Sequence, residues 1–88
     1  MQEDPGKQLE FPLECQFRIM AYANAENILN DLKKVIIKHD LKTIPAKGNL
    51  SKNGSYQSWI LACTIYSLET LRTVGSDLSA IEGVKMVL

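Results

Sequence analysis

The sequence predicts an α+β fold in which two helices cover one face of a four-stranded antiparallel sheet. Apolar residues alternate with polar ones in some segments and recur at helical spacing in others. In addition, the pair Asn53-Gly54 stands between two extended segments and can supply the positive φ angles of a hairpin turn. A chain of 88 residues is large enough for a single core. We predict one domain at 9–88, preceded by a disordered tail at 1–8.

The first strand is predicted from Cys15 onward, where successive side chains alternate in polarity. Its core face is predicted to consist of Cys15, Phe17, Ile19 and Ala21. Its other face consists of Gln16, Arg18, Met20 and Tyr22. We expect this second set on the side of the sheet that the helices leave open.

The first helix is predicted to begin after Asn24, whose side chain can cap the free amides of a first turn. It is predicted to end near Asp40. Its apolar residues have the spacing of one helical stripe, formed by Ile28, Leu29, Leu32, Val35 and Ile36. This stripe is expected to pack on the sheet.

A hairpin that turns at Lys52-Asn53-Gly54 is predicted next. Its first arm contains Pro45, which lacks the amide hydrogen that a central strand needs, so this arm is placed at a sheet edge. The second arm is placed in the centre. Its core face is predicted to consist of Trp59, Leu61, Cys63 and Ile65, and its open face of Tyr56, Ser58, Ile60, Ala62 and Thr64.

The second helix is predicted to be capped by Ser67. Its apolar stripe consists of Leu68, Leu71, Val74 and Leu78. Gly75 at its margin fits either a close approach to the sheet or a glycine that is merely tolerated. Gly83 interrupts the chain, and Val84–Leu88 alternates again. We predict a closing strand there, with Val84, Met86 and Leu88 facing the helices and with Lys85 and Val87 on the open face.

The resulting order is strand, helix, strand, strand, helix, strand. On a chain of this length it fits the ferredoxin-like βαββαβ arrangement, with strand order 4-1-3-2 and both helices on one face. The first and third strands are then central, and the second and fourth are edges.

Three short motifs add a family resemblance: "LEFP" at Leu9–Pro12, "SKNGSYQS" at Ser51–Ser58 and "VKMVL" at Val84–Leu88. In this order and spacing they resemble the YbeD-like family of small bacterial proteins of unknown function. The resemblance implies a fold similar to the ACT-like regulatory domains of amino-acid-metabolism enzymes. It also implies a loose association with lipoate metabolism, and it supplies no catalytic residues.

The charge balance argues against nucleic-acid binding, because ten basic and ten acidic residues cancel. The segment 31–54 nevertheless carries six Lys against two Asp. These lysines fit either a solvated helix face and a guarded edge strand or an anion-binding patch, and the sequence leaves both open. The N-terminus lacks a secretory pattern and no apolar run is long enough to span a membrane, so we expect a cytoplasmic protein without membrane contact.

Few residues could support catalysis, and we predict a non-enzymatic protein without a cofactor or a metal. His39 is expected to be structural, near the C-terminal end of the first helix; a carboxylate or cysteine partner in a pocket would favour the enzyme alternative. Cys15 and Cys63 are predicted to be reduced neighbours on the two central strands, with a redox role as the alternative.

The open sheet face remains as the candidate interaction surface. Its predicted residues are Arg18, Met20, Tyr22, Tyr56, Ser58, Ile60 and Lys85, accompanied by Ala62 and Val87. We expect a protein partner, a second copy included, and a small metabolite is a further alternative. RNA is the other one, since Tyr22 and Tyr56 could stack on bases, although the basic-aromatic run of RNA-recognition modules is absent.

Overall fold

The computed structural model describes residues 9–88, so the predicted tail at 1–8 lies outside the described residues. The strands and helices follow one another in the predicted order, βαββαβ. Their bounds are β1 Leu13–Tyr22, α1 Ile28–His39, β2 Ala46–Leu50, β3 Tyr56–Ile65, α2 Leu68–Ser79 and β4 Val84–Val87.

The strands form one antiparallel sheet in the order β2-β3-β1-β4, which confirms the predicted topology. The central ladder between β1 and β3 runs without a register shift from the pair Leu13 and Ile65 to the pair Tyr22 and Tyr56. Pro45 directly precedes β2, and this strand is an edge as its proline predicts.

One face of the sheet carries the core together with both helices. Leu61 and Ile65 of β3 and Ile19 of β1 are fully buried, and they pack with Leu32 of α1 and Val74 of α2. The predicted parity of both central strands is therefore confirmed. The stripe of α1 is confirmed at Ile28, Leu32, Val35 and Ile36, whereas Leu29 is 39% exposed and lies outside the core.

The start of α1 differs from the prediction. The amide of Ala25 donates to the Tyr22 carbonyl at 3.0 Å, which closes a turn between β1 and the helix. Asn24 lies within this turn and does not cap the helix. The N-cap position belongs to Asn27, whose side chain makes no capping bond. At the other end, Asp40 adopts the left-handed conformation with φ 52° and terminates the helix where expected.

The second helix begins as predicted, because the Ser67 hydroxyl accepts a hydrogen bond from the Thr70 amide at 3.1 Å. After it, Gly83 has φ +92° and packs closely on α1. A Cβ built on Gly83 would lie 2.7 Å from the Ala25 Cβ and 3.3 Å from the Ile28 Cδ1. Glycine is therefore required there for both its backbone conformation and its small size.

The predicted orientation of β4 is right at Val84 and Lys85 and wrong from Met86 onward. The register against β1 shifts between Met20 and Ala21, so that Met86 pairs with Met20 and Val87 with Ile19. Directly paired residues share a face of the sheet. Val87 consequently packs against the core, while Met86 is 45% and Leu88 69% exposed. A β-bulge, in which one strand carries an extra residue, inverts the parity that strict alternation assumes.

Candidate functional site: the open face of the sheet

The structure brings the predicted interaction residues of the two central strands together on the open face. Three directly opposed pairs carry them: Arg18 with Ile60, Met20 with Ser58, and Tyr22 with Tyr56. Ala62, opposite Gln16, is exposed further along the same face. Both helices pack on the other side of the sheet, so these side chains have no helix over them among residues 9–88.

Two tyrosines and a lysine form a cluster at one end of this face. The rings of Tyr22 and Tyr56 have centroids 5.4 Å apart and are tilted by 38°. The ammonium group of Lys85 donates a hydrogen bond to the Tyr56 hydroxyl at 2.9 Å and lies 4.7 Å from the centroid of that ring. The hydrogen bond with Tyr56 is the main cause that raises the pKa of Lys85, and this lysine therefore stays charged at neutral pH. We call Tyr22, Tyr56 and Lys85 the tyrosine–lysine cluster.

A more apolar region lies beside the cluster. Met20 and Met86 are direct partners across β1 and β4, and Ile60 is half-buried on β3. A depression of about 340 Å³ opens between the central strands and β2, lined by residues that include Arg18, Met20, Gly48, Leu50, Ser58 and Ile60. The open face thus combines exposed aromatic, thioether and aliphatic groups with the positive charges of Arg18 and Lys85, and the exposed carboxylate of Glu14 lies on the same face near the start of β1.

Three corrections to the predicted face come from the edge strands. Val87 does not belong to it, because the bulge turns this side chain toward the core. Met86 belongs to it and was missed for the same reason. Leu50 at the end of β2 was also missed, since the short and irregular pairing of this strand gives no clear period. The sequence shows only that the last strand is apolar, and this property does not reveal the bulge that places Met86 on the open face.

Ser58 is held by neighbouring backbone and has little freedom to recognise a ligand. Its hydroxyl donates to the Asn49 carbonyl at 3.1 Å and lies against the Cα of Gly48 so closely that a Cβ there would clash with it. Behind it, on the core side, the buried Gln57 amide donates to the Gly48 carbonyl at 2.7 Å and to the Ser58 carbonyl at 2.9 Å. Together these bonds fix the bulged edge strand to β3.

A second polar cluster joins the two helices. The Nε2 of His39 lies 2.7 Å from Oδ2 of Asp77, and Nζ of Lys38 lies 2.9 Å from the same oxygen. The hydrogen bonds from His39 and then Lys38 hold the pKa of the Asp77 carboxyl below its usual range. The His39 side chain is 12% exposed. His39 therefore has a carboxylate partner, which was one condition for the enzyme alternative. The same carboxylate forms an ion pair with Lys38, and this pair connects α1 to α2.

The two cysteines are directly opposed on β1 and β3, as predicted. Both are free thiols of intermediate burial. Within residues 9–88, no three His, Cys, Asp or Glu residues are grouped so that they could hold a metal ion. None of the helices in the same range is long and apolar enough to cross a membrane.

Comparison with protein-family models decides the family. The model described as "Protein of unknown function (DUF493)" matches residues 6–88 of this chain. The chain belongs to this family. Its relatives include a UPF0250 protein of Shewanella woodyi, 31% identical over 80 residues, with 91% of this chain and 90% of the relative covered. A UPF0250 protein of Haemophilus influenzae is 30% identical over 80 residues, with 91% and 86% covered. The resemblance to the YbeD-like proteins is thereby confirmed.

Solved structures support the fold independently of sequence identity. The solution structure of HP0495 from Helicobacter pylori has a TM-score of 0.77 and 14% identity, and the match covers 100% of this chain and 98% of the other. The ACT domain from GTP pyrophosphokinase of Chlorobium tepidum has a TM-score of 0.62 and 19% identity, with 86% and 95% covered. The chain therefore has an ACT-like fold, as the resemblance implied.

Proposed function

We propose that this protein is a non-enzymatic binding or regulatory module that acts through the open face of its sheet. The observation that carries the proposal is the joint exposure of the tyrosine–lysine cluster and the methionine pair Met20 and Met86 on a face without helices. Aromatic residues and methionine are enriched in protein contacts. An aromatic ring buries much area with few flexible torsions, and a flexible methionine adapts its shape to the partner.

The favoured occupant is a protein whose contact surface is apolar with acidic groups at its margin. Arg18 and Lys85 are the positive charges of the face, and an acidic partner would complement them. A second copy offers on this face of β1 one carboxylate, that of Glu14, against the same two positive charges, so a partner with several acidic groups is the better match. The implied link to lipoate metabolism makes the enzymes of lipoate attachment the first partners to test. A small metabolite, as for ACT-like regulatory domains, is the alternative ligand for the same face.

The geometry of the tyrosine–lysine cluster also supports RNA as a second candidate. Two neighbouring aromatic rings on central strands with a lysine beside them resemble a platform on which bases stack. The chain as a whole is neutral and lacks the long-range attraction of a typical RNA binder. For this reason the protein partner is preferred, and RNA becomes one outcome of the test.

The test compares two variants of the tagged full chain in affinity capture from the native cell after chemical cross-linking. The face variant carries Tyr22→Ser, Tyr56→Ser and Ile60→Thr. The control variant carries Leu29→Ser and Ile37→Ser, two exposed apolar residues of α1 on the opposite side of the sheet. We expect a captured protein that the control variant retains and the face variant loses.

Purified components then give the magnitude. Loss of one aromatic anchor at about 2 kcal/mol raises the Kd about 30-fold, and additive loss of both tyrosines should raise it about 1,000-fold. A partner that both variants retain would place binding on the helices or the hairpin and would overturn the proposal. Ribonuclease-sensitive capture, with affinity that falls steeply with salt, would instead support RNA.

A further inference from the structure

The central strands extend beyond both edge strands and form a two-stranded ribbon there. Pairing with β4 involves β1 only from Arg18 to Ala21, and pairing with β2 involves β3 only from Gln57 to Ile60. The ribbon consists of residues 13–17 of β1 and 61–65 of β3, which pair with each other. Among residues 9–88 no strand covers its outer edges. Cys15 and Cys63 lie opposite each other in this ribbon, and both are partly accessible.

The register places the two cysteines on the same face as direct partners, a pairing whose usual Cα separation is compatible with a disulfide. Arg18 exchanges both backbone hydrogen bonds with Leu88, at 3.0 and 2.8 Å, so its peptide groups face β4. Because peptide groups alternate in direction along a strand, Cys15 faces β3 and forms a hydrogen-bonded pair with Cys63. Such pairs have Cα atoms about 5.5 Å apart, inside the range of about 4.4–6.8 Å found for disulfides.

From this juxtaposition we propose that Cys15 and Cys63 form a reversible dithiol/disulfide couple that low-molecular-weight disulfides oxidise. In the first step the thiolate of one cysteine attacks a sulfur of the small disulfide, forms a mixed disulfide and releases one small thiolate. In the second step the thiolate of the other cysteine attacks the protein sulfur of the mixed disulfide and releases the second small thiolate. The protein loses two thiol hydrogens and gains one S–S bond, while the small disulfide is reduced to two thiols that take up the two protons.

The surroundings of the pair set the pH dependence of this reaction. Burial raises the pKa of the Cys15 thiol, and burial together with the neighbouring Cys15 raises that of the Cys63 thiol. Glu14 precedes Cys15 in the sequence and is the charged residue that lines the depression beside the two cysteines. A carboxylate does not stabilise a thiolate. Both cysteines are therefore protonated at neutral pH, and exchange should accelerate as the pH rises through the alkaline range.

The experiment incubates the purified full chain with oxidised glutathione and follows the products by intact mass under denaturing, acid-quenched conditions. The wild-type chain should lose the mass of two hydrogen atoms, with both cysteines then resistant to maleimide labelling. Cys15→Ser and Cys63→Ser should each stop at a glutathione adduct on the remaining cysteine. Dithiothreitol should restore the two free thiols in the wild-type chain and release the adduct in each variant.

A matched control moves one thiol to the other face of the ribbon. Cys63→Ser combined with Thr64→Cys keeps two cysteines at nearly the same separation in sequence, but residues 63 and 64 point to opposite faces. This variant should accumulate two glutathione adducts and form no internal disulfide. Circular dichroism of each variant checks that the fold is retained. Accumulation of two adducts on the wild-type chain, no reaction of its thiols, or equal internal cross-linking in the control would each overturn the proposal.

Discussion

Asp77 of α2 accepts a hydrogen bond from His39 at the end of α1, with 2.7 Å between Oδ2 and Nε2. Lys38 approaches the same oxygen at 2.9 Å, so one carboxylate oxygen connects the second helix to two successive residues of the first. The two helices otherwise meet through apolar side chains of the core. The Asp77 carboxylate consequently makes the stability of the helix pair depend on pH.

The first prediction concerns the acid limb of the stability curve. The pKa of Asp77 in the folded chain lies below the ordinary value of 3.8, chiefly because of the hydrogen bond from His39. This carboxylate therefore contributes stability above pH 3.8, and the contribution disappears as the pH falls through the lower, folded pKa. Asp77→Asn should lower stability at neutral pH and should remove this part of the acid-dependent loss.

Urea denaturation at a series of pH values from neutral to acid measures this effect. The unfolding free energies of wild type and Asp77→Asn should converge at the acid end. Glu82→Gln, which removes the charge of an exposed carboxylate, serves as the control for the change in net charge. Curves for Asp77→Asn and wild type that stay parallel would show that the carboxylate contributes nothing through its charge.

The second prediction compares two glycines with positive φ. Gly83→Ala combines a strained backbone with a clash against Ala25 and Ile28, and should destabilise the protein by about 1–3 kcal/mol or more. Gly54→Ala has a similar conformation, φ +76°, but no atom within 4 Å of the added Cβ, so its cost should be limited to about 1 kcal/mol of backbone strain. Chemical denaturation of both variants measures the difference, which isolates the steric part. Equal losses would mean that α1 does not pack closely on Gly83.

The third prediction tests the bulge in β4. Val87→Ala removes two partly buried methyl groups and should cost about 1 kcal/mol, below the roughly 1.6 kcal/mol that full burial would give at 0.8 kcal/mol for each carbon. Met86→Ala affects a half-exposed side chain on the open face and should stay within about 0.5 kcal/mol. Thermal and urea unfolding of the two variants measures the difference in stability. A larger loss of stability for Met86→Ala than for Val87→Ala would indicate strict alternation along β4 and would contradict the bulge.

The fourth prediction concerns the helix caps. Ser67→Ala deletes a side-chain bond to the Thr70 amide and should cost about 1 kcal/mol. Asn27→Ala at the start of α1 removes no capping bond and should change the unfolding free energy by only a few tenths of a kcal/mol. Asn24→Ala should be equally mild, because Asn24 lies in the turn before the helix. A large loss at either asparagine would indicate that it caps α1 in solution.

The sequence predicted the features that depend on regular periodicity. The parity of β1 and β3 is continuous over ten residues each, so the buried apolar residues of these strands could be assigned, and the opposed cysteines followed from the same register. The buried Gln57 was not predicted. A strand edge was predicted from Pro45 and a turn from Asn53-Gly54, because both depend on covalent properties of single residues.

The features that escaped prediction depend on contacts between elements. The bulge opposite Met20 lies in β4, the short strand that follows the closely packed Gly83 and pairs with β1. Neither strand shows the bulge in its own sequence pattern. The ion pair of Lys38 and the hydrogen bond of His39 both end on Asp77, which lies 38 residues beyond His39 in the chain, and no local spacing connects them. The open face was therefore predicted correctly on its central strands and incorrectly at its edge.

The long uninterrupted ladder between β1 and β3 has a consequence for the order of folding. The hairpin of β2 and β3 closes through a short turn, with the Gly54 amide bonded to the Ser51 carbonyl at 2.9 Å. The central ladder instead joins strands that α1 and β2 separate along the chain, so its formation requires closure of a much longer loop. We expect the hairpin to form early and β1 to dock on it in the rate-limiting step, with β4 added last. Substitutions in the ladder should then slow refolding, whereas those at the β4 edge should mainly accelerate unfolding.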